Sequence, residues 1–280
     1  MKWCETVNCG CKINLRLKVT AKRVDGLHDL SSFFLWLPFP GDRLTVEESE
    51  ELSLECPGFP ELANEKNLVW RAAELFATAS GIAPAWHITL EKRVPMAAGL
   101  GGGSADAGAL FALLNAHYRT LSPEKLESVA FSLGADVPFF LKCASAWVTG
   151  AGECFEYFEK LPEIPEVLIV NPAFPVTARW AYVNMPKDLI GADDPQIKAD
   201  FLDGNVSWQE FCRNDLAPAV MDKFPLLRLL EKNLREYGAS AVQMSGSGPS
   251  LFALFAPGMA ECAAEKLRKD FASLGEVFLL

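Results

Sequence analysis

From Lys12 onward the chain alternates strictly. Ile13, Leu15, Leu17 and Val19 are apolar, and Lys12, Asn14, Arg16 and Lys18 between them are polar. A two-residue period sends successive side chains to opposite faces of a strand. The stretch is therefore predicted to be a half-buried strand, with Arg16 and Lys18 in solvent. The alternation returns at 43–47 and 86–90, and further strands are predicted at 33–37, 147–149, 167–171 and 251–255. An apolar strand is expected to enter from Pro138 through Phe139 and Phe140. Helical spacing replaces the alternation at 67–78, where Leu68, Ala72, Leu75 and Phe76 share a face, and at 105–118. A third helix is predicted over 123–133, with Ser122 as N-cap and Pro123 at its first position. Two or three more helices are expected in the remainder. The proline-rich stretch 161–165 reads as a domain boundary, dividing the chain into 1–160 and 161–280.

Between the strand at 86–90 and the helix from 105 lies Pro95-Met96-Ala97-Ala98-Gly99-Leu100-Gly101-Gly102-Gly103-Ser104-Ala105. Glycine allows close backbone approach and positive φ. A helix N-terminus adds unpaired N–H groups and the positive end of the helix dipole. Together they suit a phosphate. The loop lacks the Gly-Lys-[Ser/Thr] of a Walker P-loop, and Ser104 stands where the dinucleotide fingerprint needs its last glycine. Protein-kinase signatures and the Gly-x-Ser-x-Gly hydrolase elbow do not occur. Ser104 reads as the N-cap of the following helix, its hydroxyl in reach of phosphate or Mg2+. Asp106, in the first turn, favours the helix dipole. A second small-residue turn, Ser245-Gly246-Ser247-Gly248, is another backbone nest able to offer N–H groups to an anion.

Charge narrows the partners. A formal net charge of −10 argues against nucleic acid, which selects basic surfaces. No apolar run approaches the ~18 residues of a spanning helix, and the first residues lack a signal-peptide layout. A cytoplasmic protein with a small-molecule partner and no membrane association is expected; no oligomeric state follows. The eight cysteines are widely spread, which favours free thiols over disulfides, and Cys9-x-Cys11 does not match zinc spacing.

Asp136 sits in Gly134-Ala135-Asp136-Val137-Pro138. Taken alone it is a turn residue bonding nearby N–H groups, and Lys12 alone is a surface lysine snorkelling to solvent. Together they supply what phosphoryl transfer needs: a carboxylate for the substrate hydroxyl and a cation beside the moving charge. In combination, Lys12-Ile13-Asn14-Leu15, Asp25-Gly26-Leu27-His28, the Pro95–Ser104 loop, Gly134–Pro138 and Ser245–Pro249 resemble the GHMP kinase superfamily. The likeness is strongest to its members acting on a cytidyl diphosphate sugar-alcohol in non-mevalonate isoprenoid synthesis. Kinases for other small alcohols, or a non-catalytic nucleotide sensor on the same fold, are the alternatives.

The resemblance implies an α+β, two-domain GHMP kinase-like fold with the active site in the inter-domain cleft, using ATP and Mg2+. It implies Lys12 and Asp136 as the catalytic pair and Asn14 as the residue placing the hydroxyl. His28 and the Ala151 backbone would meet the cytosine. Residues 95–105 would hold the ATP phosphates, with Asn67 and Leu68 near the adenine. The family usually carries an aromatic residue before its motif histidine, whereas this chain has Leu27. Trp180 or Tyr182, after Thr177, is expected to supply the opposing ring.

Overall fold

The computed structural model describes residues 3–158, 160–271 and 275–280. In chain order the elements are β1 (Cys4–Asn8), β2 (Cys11–Lys22), β3 (His28–Leu37), β4 (Arg43–Glu48), β5 (Ser53–Glu55), α1 (Leu68–Ser80), β6 (Trp86–Glu91), α2 (Gly102–Tyr118) and α3 (Pro123–Leu133). Then follow β7 (Ala146–Gly150), β8 (Cys154–Tyr157), β9 (Glu166–Asn171), α4 (Ala178–Asn184), α5 (Ile197–Leu202), α6 (Trp208–Phe211), β10 (Arg213–Asn214) and α7 (Ala217–Lys223). The chain closes with α8 (Pro225–Glu236), β11 (Ala241–Met244), β12 (Leu251–Phe255), α9 (Ala260–Asp270) and β13 (Glu276–Leu279). Among the described residues six helices thus follow β9, more than the two or three expected.

Two compact units form, each from segments distant in sequence. The first comprises residues 1–12, 36–94 and 101–144, the second 13–35, 95–100 and 145–280. The chain passes between them inside two of the motifs, at Lys12–Ile13 and at Leu100–Gly101. The last crossing, at 144–145, is the one nearest the boundary expected at residue 160.

In the first unit the sheet order is β1-β4-β6-β5, with only β5 parallel to its neighbour. Strand β6 buries Trp86, Ile88 and Leu90 and leaves the residues between them half-exposed, as its alternation predicts. Phe76 of α1 meets Trp86 edge to face, with centroids 6.1 Å apart. The Trp86 indole donates to the Tyr118 hydroxyl at 3.0 Å, so this large buried ring keeps its polar atom satisfied. Helix α2 is small-sided where it meets the turn 138–141. A Cβ at Gly108 would lie 2.6 Å from that of Phe140. The expected strand through Phe139 and Phe140 is instead one 3-10 turn, Pro138–Leu141. The run is too short for periodicity to separate the two forms, and packing on α2 decides it.

The second unit holds two sheets, ordered β10-β2-β3-β7-β8 and β11-β12-β9-β13. Leu17 and Val19 of β2 join Leu168, Val170, Leu230, Leu251, Phe255 and Leu267 in one core. The expectation that Arg16 and Lys18 face solvent fails: both are buried. Arg16 bonds Asp193 and the Phe211 carbonyl, and Lys18 pairs with Asp215 at 3.2 Å. Both faces of β2 are covered, and each buried cation meets a carboxylate supplied from about 180 to 200 residues away.

Candidate functional site

Lys12 lies one residue into β2, and Asp136 in the turn that leaves α3. Both belong to the first unit. Lys12 Nζ stands 3.9 Å from Asp136 Oδ2, the lysine side chain 5% exposed and the aspartate 36%. Burial pulls the Lys12 pKa below its ordinary 10.5, and the attraction of Asp136 only partly opposes this. Gly101 caps α2 in the left-handed region, φ 73°. A Cβ there would come 3.0 Å from the Phe140 ring and 3.2 Å from Lys12 Cγ, so the helix N-terminus abuts the lysine stem. Only glycine meets both demands.

Because Gly101 is the N-cap, Ser104 is not; it is the third residue of α2. A Cβ at Gly103 would lie 3.4 Å from Leu68 Cδ1, which brings the start of α1 beside the start of α2. Asn67 caps α1 by accepting from the Val69 N–H at 3.0 Å.

The first half of the glycine segment, residues 95–100, belongs to the second unit. Pro95, Met96 and Gly99 are half-buried or exposed, while Ala98 and Leu100 are buried. Ala97 and Gly99 both take positive φ, 51° and 77°. The second glycine turn braces this half. Ser245 Oγ donates to the Gly99 carbonyl at 3.0 Å and accepts from the Asn14 N–H at 3.2 Å. The Ser250 N–H donates to the Ala98 carbonyl at 3.3 Å. A Cβ on Gly99 would collide with the Ser245 carbonyl. Within the turn, the Ser245 and Gly248 N–H groups donate to Ser250 and Ser245 carbonyls. These two donors thus shape the turn itself. Asn214, which sequence reasoning missed, ties it from behind. Its amide donates to the Met244 and Gly246 carbonyls at 2.7 and 2.8 Å. No local signal marks this residue, because its partners lie 30 and 32 positions away.

Asp106 is likewise not in the first turn of α2, where a dipole partner was expected. It is buried, and its Oδ2 accepts from Lys92 Nζ at 2.7 Å. Burial, with the nearby Asp42 charge, pushes its pKa up to about 7 against the opposing pull of Lys92.

In the second unit a cavity of about 740 Å³ is lined by Lys22, Leu27, His28, Ala151, Arg179 and Tyr182, among others. His28 and Tyr182 stack in it, with centroids 5.1 Å apart and planes 20° from parallel. Lys22, Arg179 and Lys187 line it, and no carboxylate does among the described residues. Thr177 and Trp180 lie outside that lining. Thr177 caps α4 by accepting from the Trp180 N–H at 3.3 Å, and the Trp180 ring carries Lys223 Nζ 4.0 Å above its centroid. The Asn14 amide donates to Ser32 Oγ at 3.0 Å. Among the described residues, no three His, Cys, Asp or Glu side chains are grouped to hold a metal, and no helix is long and apolar enough to cross a membrane.

The chain matches the model of the GHMP kinases N terminal domain over residues 67–143 and that of the GHMP kinases C terminal over 206–273. It is 36% identical over 261 residues to a 4-diphosphocytidyl-2-C-methyl-D-erythritol kinase of Solidesulfovibrio magneticus, covering 88% of this chain and 86% of that one. To the protein of the same name from Chlorobium phaeobacteroides it is 37% identical over 273 residues, covering 95% and 94%. A crystal structure of 4-(cytidine 5'-diphospho)-2C-methyl-D-erythritol kinase superposes with TM-score 0.82 at 33% identity, covering 98% of both chains. A homoserine kinase of Cytophaga hutchinsonii, at TM-score 0.70 and 18% identity, shares the fold.

Proposed function

This chain belongs to the GHMP kinase family, and we propose that Lys12 and Asp136 are its catalytic pair in the ATP-dependent phosphorylation of a hydroxyl of 4-diphosphocytidyl-2-C-methyl-D-erythritol, a step of isoprenoid precursor synthesis. One observation carries the assignment: a buried ammonium 3.9 Å from a carboxylate, with the glycine-capped end of α2 against the lysine stem.

Phosphoryl transfer asks the protein mainly for positioning and charge stabilisation. The acceptor oxygen attacks the γ-phosphorus, the bond to the bridging oxygen of ADP breaks, and the hydroxyl proton passes to Asp136. Lys12 meets the charge building on the transferred group. Residues 95–105 offer backbone N–H groups and the positive end of α2 to the phosphates, with Asn67 and Leu68 toward the adenine and Asn14 toward the acceptor hydroxyl. Mg2+ bound to nucleotide phosphates takes few protein ligands. Ser104, in the first turn of α2, fits that demand as the single hydroxyl, and the ion would neutralise phosphate charge.

The cavity suits the cytidyl half of the substrate. The His28 and Tyr182 rings give a stacking surface in place of the aromatic residue absent at Leu27, the Ala151 backbone in the lining would meet the base, and three cations, with no carboxylate among the described residues, match a diphosphate. All eight cysteines are unpaired, which suits a reducing cytoplasm.

The test is ADP release with Mg-ATP and a panel of the cytidyl substrate, homoserine, mevalonate and galactose. Turnover with the cytidyl compound alone is expected. Release with another alcohol instead would overturn the substrate, and Leu27 is the reason to include the others.

A further inference from the structure

We propose that Asp42, Lys92 and Asp106 form a buried clasp that positions both stems of the glycine segment for the nucleotide; this rests on the phosphate-binding role given to that segment above. The segment leaves the first unit after Val94 and re-enters it at Gly101. At the outgoing stem, Asp42 Oδ1 accepts from the Val94 N–H at 2.8 Å and also from the Arg93 N–H. At the returning stem, Asp106 on α2 accepts from Lys92 Nζ at 2.7 Å, and the same ammonium bonds Asp42. One cation thus joins the strand side of the loop to its helix side. The stems also touch directly, since a Cβ on Gly102 would press on the Val94 side chain, 2.9 Å from Cγ1.

This is an unusual way to hold a fold. The side chains of Asp42, Asp106 and Lys92 are 0%, 2% and 7% exposed. Two carboxylates on one buried ammonium carry a desolvation penalty that an apolar contact of equal volume would avoid. What the ionic clasp gives is fixed geometry: an ammonium with three donors sets its two acids at hydrogen-bond distances. Backbone donors stabilise phosphate charge only when already placed for it. The clasp therefore acts on nucleotide binding, without touching substrate, and its three members are positioning residues.

Asp106→Ala opens the clasp. It leaves the Lys92–Asp42 pair in place and strands one buried Lys92 donor, so a lowered Tm is expected with the protein still folded. Steady-state kinetics should show KM for ATP raised about tenfold, or ~1.4 kcal/mol, with KM for the cytidyl substrate within about twofold. Asp106→Asn keeps an acceptor for Lys92 and should restore the ATP value to within about threefold. If Asp106→Ala proves insoluble, Lys92→Arg keeps the charge but not the compact geometry, and should raise KM for ATP at least about fivefold. An ATP KM unchanged in Asp106→Ala, both KM values rising together, or Asn failing to rescue would overturn the clasp. Should the wild type release no ADP with any alcohol, the kinase reading falls on its own. Equilibrium binding of ATP to wild type and Asp106→Ala then still reads the clasp, with equal affinities overturning it.

Discussion

Replacing Lys12 by methionine should leave the fold as stable or more stable while removing most of the activity. At 3.9 Å from Asp136 the ammonium gains about 4 kcal/mol at an effective dielectric of 20 and about 1 kcal/mol in water. The 36% exposure of the aspartate places the pair near the lower figure. Burying the ammonium costs several kcal/mol, and the depressed pKa of Lys12 says that burial wins. Methionine fills similar volume without charge, and the abandoned carboxylate can still be hydrated. A stability change between zero and about +2 kcal/mol is expected, so Tm should hold or rise by a few degrees. The kcat should fall about 10²- to 10³-fold, as on loss of one preorganised charge stabiliser. Urea unfolding and single-turnover phosphorylation at pH 7 read both. The sign with pH is fixed. A lysine whose folded pKa lies below 10.5 is bound to fewer protons folded than unfolded in that window. Wild-type stability therefore climbs as pH rises through it, and the advantage of the methionine variant fades. Wild-type kcat should decline on the alkaline side beginning below pH 10.5. A variant that loses more than about 2 kcal/mol yet keeps kcat within tenfold would make Lys12 structural and refute the reasoning.

Asp136→Ala should lower kcat at least about 10²-fold with little change in either KM; near-full turnover would remove it from the chemistry. Gly99→Ala adds a Cβ at φ 77° that meets the Ser245 carbonyl. The left-handed conformation alone costs about 1–2 kcal/mol, and KM for ATP should rise with a lowered Tm; an unaltered KM would separate this turn from phosphate. Asn214→Ala strands the Met244 and Gly246 carbonyls in a buried site. It should cost about 2–3 kcal/mol and weaken ATP binding, whereas a neutral result by chemical denaturation and ATP titration would deny the brace.

The local signals in the chain were enough to set several elements. Ser122 and Pro123 fixed the start of α3, where Ser122 accepts from the Lys125 N–H at 3.3 Å, and helical spacing placed α1, whose cap Asn67 the structure adds. The alternation around Ile13 gave β2, and the glycine run gave a tight lead into α2, because capping, φ preference and two-residue periodicity act over a few residues. The motif set also named the family that the relatives bear out. What lay beyond reach were choices made by partners far along the chain. Arg16 and Lys18 looked solvated because a polar strand face usually is, and only Asp193 and Asp215 closing over them made them core residues. Asp106 looked like a dipole partner until Lys92 and Asp42 enclosed it. The Ser245 turn was read as an anion nest, and its hydroxyl's grip on the Gly99 backbone, 146 residues away, was equally out of reach. Short-range sterics are written in the sequence; the fate of a charge depends on which distant group displaces its water, and only the tertiary structure decides that.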